Sequence, residues 1–210
     1  TILGNGTNTA KTTGNIDIIS DTISGAQDVV LGVVNTLANS GLAAVFTDNG
    51  TNGTVSGLAA INVSLTGTPT SAQINAIATT TTGTVTATSS NTALADHLSG
   101  LNNSEDISSS FTGNALTLKV ADVDISAADL VELEGLTSGT ITLTAASDPT
   151  ITGSAANVKQ IFTAGKTSGF AESALTVTGG LSIADFNVID AKTSGTITAT
   201  IAENDIASLS

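Results

Sequence analysis

The chain has 210 residues, 40 % of them hydrophobic, and its 18 acidic side chains against five lysines give a formal net charge of -13. A mean hydropathy of +0.32 excludes a solvated disordered tail, which needs low hydrophobicity. The lysines (Lys11, Lys119, Lys159, Lys166, Lys192) are scattered singly, which excludes the clustered basic surface that nucleic acid and anionic lipid require. The lack of cysteine removes disulfides, thiolate chemistry and cysteine-based metal sites together.

In chain order, the alternation in "TTGNIDI" (Thr12 to Ile18) predicts a strand near 15–19. "SGAQDVVLGVVNTL" then places Val29, Val30, Val33 and Leu37 on one stripe, predicting a helix over 25–38. The apolar window from Val29 to Phe46 is broken by Asn35, Thr36, Asn39 and Ser40 and has no basic flanks, so no membrane insertion is expected. "TDNGTNGTVSG" (Thr47 to Gly57) reads as a loop. Strands follow near 61–66, 84–88, 115–120, 140–144, 174–178 and 196–201, with helices near 72–78, 92–99, 127–134, 154–162 and 183–190. Within the strands Ile141 and Leu143 face one side and Thr140, Thr142 and Thr144 the other, so threonine is expected on the solvent face of a half-buried pleat. Ser126 with Asp129, and Ser182 with Asp185, have capping-box spacing. The inward faces predict a core of Ile74, Ile77, Val85, Leu130, Leu133, Ile141, Leu143, Phe186, Ile189 and Ile197.

These elements recur. "TTGTVTAT", "TSGTITLT" and "TSGTITAT" place Gly83, Gly139 and Gly195 at equal spacings of 56 residues (139 − 83 and 195 − 139). "SAQINAIA", "SAADLVEL" and "SIADFNVI" form a second shared block. The glycine fits a turn that needs positive φ. Residues 1–60 read as a degenerate first repeat with an inserted loop, and 61–210 as an array of ~56-residue units. The expected fold is a β-rich, solenoid-like stack of strands with short helices, because one unit cannot cover its own apolar face and stacked neighbours can. The alternative is a β-sandwich whose halves share the motif.

The order T-S-G-T-I-T-A, then S/T-G-S-A-A, A-L-T-V and L-x-x-[IL]-[DE]-x-x-T-S-G resembles tandem units in very large, acidic, Thr/Ala/Gly-rich secreted or surface proteins of marine bacteria and cyanobacteria. That resemblance implies an extracellular or cell-surface location and a structural or adhesive role, with no active residues to carry over. Thr1, without an initiator Met or a charged-then-apolar leader, reads as a processed chain or an excerpt.

Chemistry-bearing residues are few. His97 stands beside Asp96 but no G-x-S-x-G elbow exists, so an exposed helical histidine is expected. "DNGTNG" fails as an EF-hand because Gly50 replaces an interior ligand and no Glu closes the loop. Asp48, Asp122 and Asp124 are the candidate oxygen ligands for weakly bound calcium, against the reading of a solvated acidic edge. Asn5, Asn49, Asn52, Asn62 and Asn102 lie in N-x-S/T sequons, which a chain of this composition generates by itself. No other cofactor is expected, and no catalysis.

The expected function is a structural protein that self-assembles into a filament, sheath or surface layer. Its partner is its own copy, met through surfaces near both termini: Ile16 and Ile18 at one end, Thr196, Ile197 and Ile201 at the other. An adhesin spacer segment binding glycan or another surface is the alternative. Ice binding through outward threonines and a polysaccharide-active enzyme rank below both.

Overall fold

The computed structural model describes residues 16–17, 28–32, 55–56, 62–66, 68–79, 82–101 and 113–202. Twelve strands are β1 (Ile16–Asp17), β2 (Asp28–Gly32), β3 (Val55–Ser56), β4 (Asn62–Thr66), β5 (Val85–Thr88), β6 (Ala115–Val120), β7 (Asp124–Ser126), β8 (Ile141–Leu143), β9 (Thr150–Ser154), β10 (Thr167–Ser168), β11 (Ala174–Leu181) and β12 (Ile197–Ile201). The helices among the described residues are α1 (Ser71–Ala78), α2 (Leu94–Leu101), α3 (Ala127–Gly135), α4 (Ala155–Ala164) and α5 (Ile183–Asp190).

The strands build a six-stranded sheet in the order β10-β8-β6-β5-β4-β2, a four-stranded sheet in the order β12-β11-β9-β7, and the pair β1-β3. Every pairing is parallel, as in Leu118 with Ile141 and Thr150 with Ala174. The chain is therefore mixed α/β with parallel sheets, and the described residues show none of the antiparallel pairing of a Greek-key sandwich. Each strand of a sheet lies beside its predecessor in sequence, and each helix packs against the next.

The repeating step is half the one read from the sequence. Strand starts in the larger sheet advance by 34 (62 − 28) from β2 to β4, and then by 23 (85 − 62), 30 (115 − 85), 26 (141 − 115) and 26 (167 − 141) residues. Two steps from β5 to β8 make the 56-residue spacing (141 − 85). Alternate strands share a motif more closely than neighbours do, so the sequence shows the double step first.

Local chemistry sets the helix starts. Ser126, Ser154 and Ser182 each accept the backbone N–H three residues on (Asp129, Asn157, Asp185), capping α3, α4 and α5. In α1 the cap is Thr70, with Gln73 completing a full capping box, so Ser71 lies inside the helix and not at its cap. Two-turn helices persist only by packing, and here their apolar faces meet the sheets. Ile74, Leu101, Leu130, Leu133, Val158, Ile161 and Ile189 are buried against Val63, Val85, Leu116, Leu118, Val120, Ile141, Ile151 and Leu175. Phe162 and Phe170 stack with ring centroids 4.2 Å apart. Thr86, Thr88 and Thr117 are exposed between buried neighbours, as the alternation requires.

Four expectations need correction. The helix over 25–38 is contradicted by β2, where "DVVLG" pairs with β4 over five register positions; its β-branched run fits a strand beside another strand better than an isolated helix. The rest of that span lies outside the described residues. The short strands β7, β9 and β10 have no counterpart among the expected strands, because segments this brief show little alternation. Phe186 and Ile197 are only half-buried, packing against the core from the last helix and last strand described. Gly139 and Gly195 do not have positive φ, which among the described residues is confined to Gly165, Gly169 and Gly179.

Candidate functional site

The polar groups of this chain converge where one strand–helix step meets the next. Thr137 is completely buried. Its hydroxyl accepts the Leu116 N–H at 2.9 Å and the Gly139 N–H at 2.9 Å, and donates to the Asn114 carbonyl at 3.0 Å. Ser138 adds its N–H (2.8 Å) and its hydroxyl (3.0 Å) to the same Asn114 carbonyl. Gly139 is glycine because a Cβ there would sit 2.1 Å from the Leu116 carbonyl oxygen.

The same turn recurs at Thr193, Ser194 and Gly195. The Thr193 hydroxyl donates to the Ser173 carbonyl at 2.7 Å and accepts the Gly195 N–H at 3.0 Å. Ser194 meets the Ala171 carbonyl with both its N–H (2.7 Å) and its hydroxyl (2.9 Å), and a Cβ on Gly195 would lie 2.1 Å from the Ser173 carbonyl. The first threonine of T-S-G is thus an internal staple onto the preceding step, and only the later ones belong to the solvent face.

Lysine closes the helix ends. The Lys166 ammonium donates to the carbonyls of Glu134 (2.7 Å) and Thr137 (2.8 Å), and that of Lys192 to the carbonyl of Phe162 (2.5 Å). Glu134 and Phe162 each stand eight residues beyond their helix cap (134 − 126 and 162 − 154). A cation there satisfies orphan carbonyls and opposes the helix dipole. The Glu134 side chain is buried. One oxygen accepts from the Thr167 hydroxyl at 2.7 Å and the other has no partner. Burial raises this carboxyl above its ordinary value, with the Thr167 hydroxyl and the Lys166 ammonium pulling it back down.

His97 is fully buried, not exposed. Its Nε2 lies 2.9 Å from the Lys119 carbonyl, which can only accept, so Nε2 carries the proton and Nδ1 accepts from the Ser71 hydroxyl at 2.8 Å. Ser71 in turn accepts from Ser89 at 3.1 Å, and Ser89 accepts the Asn91 N–H at 3.2 Å. Burial holds the imidazole below its ordinary 6.5, against the upward pull of the Lys119 carbonyl and of the Asp96 and Asp122 carboxylates. A serine and a histidine at this distance have the polarity of a nucleophile and base, but both are 0 % exposed. The pair works as an internal brace between α1, α2 and β6.

Of the candidate calcium ligands, Asp122 accepts the Leu94 N–H at 2.7 Å and caps α2 from the following step. Asp124 is exposed on β7, and Asp48 lies outside the described residues. No group of three or more His, Asp or Glu side chains comes together among the described residues. Lys159 and Asp185 bridge α4 and α5 at 2.7 Å, and the Lys159 hydrogen bond holds the Asp185 carboxyl below its usual range.

The expected assembly residues fall at two separate places in the sequence. Ile16 pairs with Val55 in the β1-β3 sheet, and Ile18 lies outside the described residues. Ile197 and Ile201 are half-buried in β12, which ends the four-stranded sheet, and Thr196 is exposed with its carbonyl accepting the Leu175 N–H at 2.8 Å. The staples were the part missed; their signal was the recurrence of Thr-Ser-Gly at 137–139 and 193–195.

No protein-family model matches the chain, and no curated protein or solved structure matches it. No helix among the described residues is long and apolar enough to cross a membrane.

Proposed function

We propose that this chain is a non-catalytic structural protein of the cell surface or extracellular space, built as a β/α solenoid and assembling with its own copies into a filament, sheath or surface layer. One observation carries the reading: Ser71, His97, Asp122, Glu134, Thr137, Lys166 and Lys192 are each bonded to an adjoining step or helix. Side chains that would carry chemistry elsewhere are here spent on joining like to like. Copies of such a stack that meet head to tail in a contact that does not close generate a filament. Among the described residues, β12 lies at the edge of its sheet, where a strand can template pairing. The extracellular setting follows from the resemblance of its repeats to acidic surface proteins.

Electron microscopy with sedimentation tests this. The expected result is fibres or sheets that form more readily as salt or calcium screens the net charge of -13. Dispersed monomers at high concentration under all those conditions would overturn it.

A further inference from the structure

Three turns among the described residues read Thr-Ser-Gly, and in two of them the threonine hydroxyl is held by main chain. Thr137 donates to the Asn114 carbonyl and Thr193 to the Ser173 carbonyl, acceptors that do not titrate. The third turn departs from this. The Thr167 hydroxyl donates at 2.7 Å to a carboxyl oxygen, Oε1 of Glu134. Its glycine, Gly169, has a φ of 93°, where Gly139 and Gly195 have no positive φ.

Glu134 is itself out of pattern. It stands eight residues beyond the cap of α3, a place held by Ala78 in α1 (78 − 70) and Phe162 in α4 (162 − 154), both buried and apolar. In α5 the same place holds Asp190, which is exposed. Of these four helices, α3 alone encloses a carboxyl group there, 3 % exposed and with no partner on Oε2. A neutral carboxyl fits: Oε1 keeps the Thr167 hydroxyl and Oε2 carries the proton. A carboxylate does not, because a buried charge is costly unless it is paired and hydrogen-bonded.

The charged group that acts on it is Lys166, whose ammonium is already on the Glu134 and Thr137 carbonyls. The other elements packed on α3 supply no free cation. Lys159 of α4 is bridged to Asp185, and His97 of α2 is bonded to Ser71 and Lys119. Asp96 of α2, Asp124 of β7, and Asp129 and Glu132 of α3 itself are exposed acids, and β9 has no titratable group. What the carboxyl holds is a weak strand. β10 has two residues, Thr167 paired with Ile141 and Ser168 with Thr142, and among the described residues it lies at the edge of its sheet.

We propose that Glu134 and Thr167 form a proton-operated latch on β10, closed while the Glu134 carboxyl is neutral and released when it ionises and its charge draws water into the joint. The steps stapled through main chain stay joined. Burial raises this carboxyl above its ordinary 4.5, so the folded chain keeps the proton after the unfolded one has lost it. The latch's contribution is therefore whole below 4.5 and is lost as pH rises through the folded value.

Hydrogen exchange on the full chain, followed by NMR, tests it. The Ile141 N–H donates to the Lys166 carbonyl at 2.9 Å and reports whether β10 is seated; the Leu175 N–H, on the Thr196 carbonyl at 2.8 Å, is the control. With intrinsic rates divided out, protection at Ile141 relative to Leu175 should fall between about pH 4 and about pH 8, roughly tenfold for each unit by which the carboxyl is raised. Glu134→Gln keeps an oxygen for Thr167 and cannot ionise, so its ratio should stay flat. Glu134→Leu, apolar as in α1 and α4, should be equally flat and serves if the first variant does not fold. Thr167→Val removes the donor and should lower the ratio at acid pH toward the wild-type value at high pH. A wild-type ratio that does not change with pH, whether both amides hold or both loosen together, would overturn the latch. So would a fall that persists in Glu134→Gln or Glu134→Leu.

Discussion

Replacing Thr137 with valine removes one hydroxyl and nothing else of size. The Leu116 amide, fully buried, loses its acceptor at 2.9 Å, and the half-buried Gly139 amide loses the same acceptor. An orphaned buried donor costs roughly 1–3 kcal/mol, and the Gly139 amide, which water reaches, falls at the low end. The added methyl returns about 0.8 kcal/mol, so the net loss is about 1–3 kcal/mol. Thr137→Ser keeps the hydroxyl and loses a methyl, for about 1 kcal/mol. Thr117→Val, on the exposed face of β6, should stay within about 0.5 kcal/mol. Urea titration followed by circular dichroism ranks the three, and amide exchange at Leu116 gives a local reading where the stack unfolds in parts. Hydrophobicity alone would make valine the better residue at 137. A Thr137→Val protein at least as stable as Thr137→Ser would therefore refute the staple.

Gly139→Ala should be strongly destabilising, because its Cβ meets the Leu116 carbonyl oxygen at 2.1 Å, while Gly135→Ala at the end of α3, with nothing within 4 Å, should be neutral or slightly stabilising; thermal melts of the two separate close approach from ordinary helix propensity. Lys192→Met should cost about 1–3 kcal/mol through the lost charged hydrogen bond to Phe162, whereas Lys159→Ala, breaking an exposed pair, should cost under about 1 kcal/mol; equal losses in urea would sink the distinction. The folded imidazole of His97 sits below 6.5, so the unfolded chain takes up a proton first as pH falls. Its contribution is whole above pH 6.5 and declines below it until the folded pKa is passed. Urea midpoints measured from pH 7.5 down to 5 should show this fall, and His97→Leu should flatten it.

What the sequence made legible was governed by local rules. Alternation in "TVTAT", "ALTLKV" and "ITL" places the solvent face as found, because a pleat leaves a period of two whatever its neighbours are. Ser126 and Ser182 mark helix starts because capping is decided within four residues. What stayed hidden depends on partners 20 or more residues away. "DIS" and "TITGS" are strands only beside each other and β11. Thr137 looks like any other threonine of the array until the Asn114–Leu116 backbone arrives against it. His97, next to Asp96 and in a helix with polar residues, reads as exposed until Ser71 and Lys119 close over it.

The parallel ladder also determines how the chain would respond to being pulled. Strands of one sheet stand about 4.8 Å apart along the direction of their hydrogen bonds, so tension along that direction loads the bonds end-on and parts them one ladder at a time. The segment between the starts of β8 and β10 is 26 residues (167 − 141), and drawn out fully it measures roughly 90 Å. Releasing a single step would therefore lengthen the chain by nearly twenty times the space that step occupied. The staples at Thr137 and Thr193 and the lysines at 166 and 192 set the force at which each step yields. A force–extension trace would show a series of small peaks spaced by one step, and the chain would stretch and dissipate energy where a globular domain would hold and then fail at once.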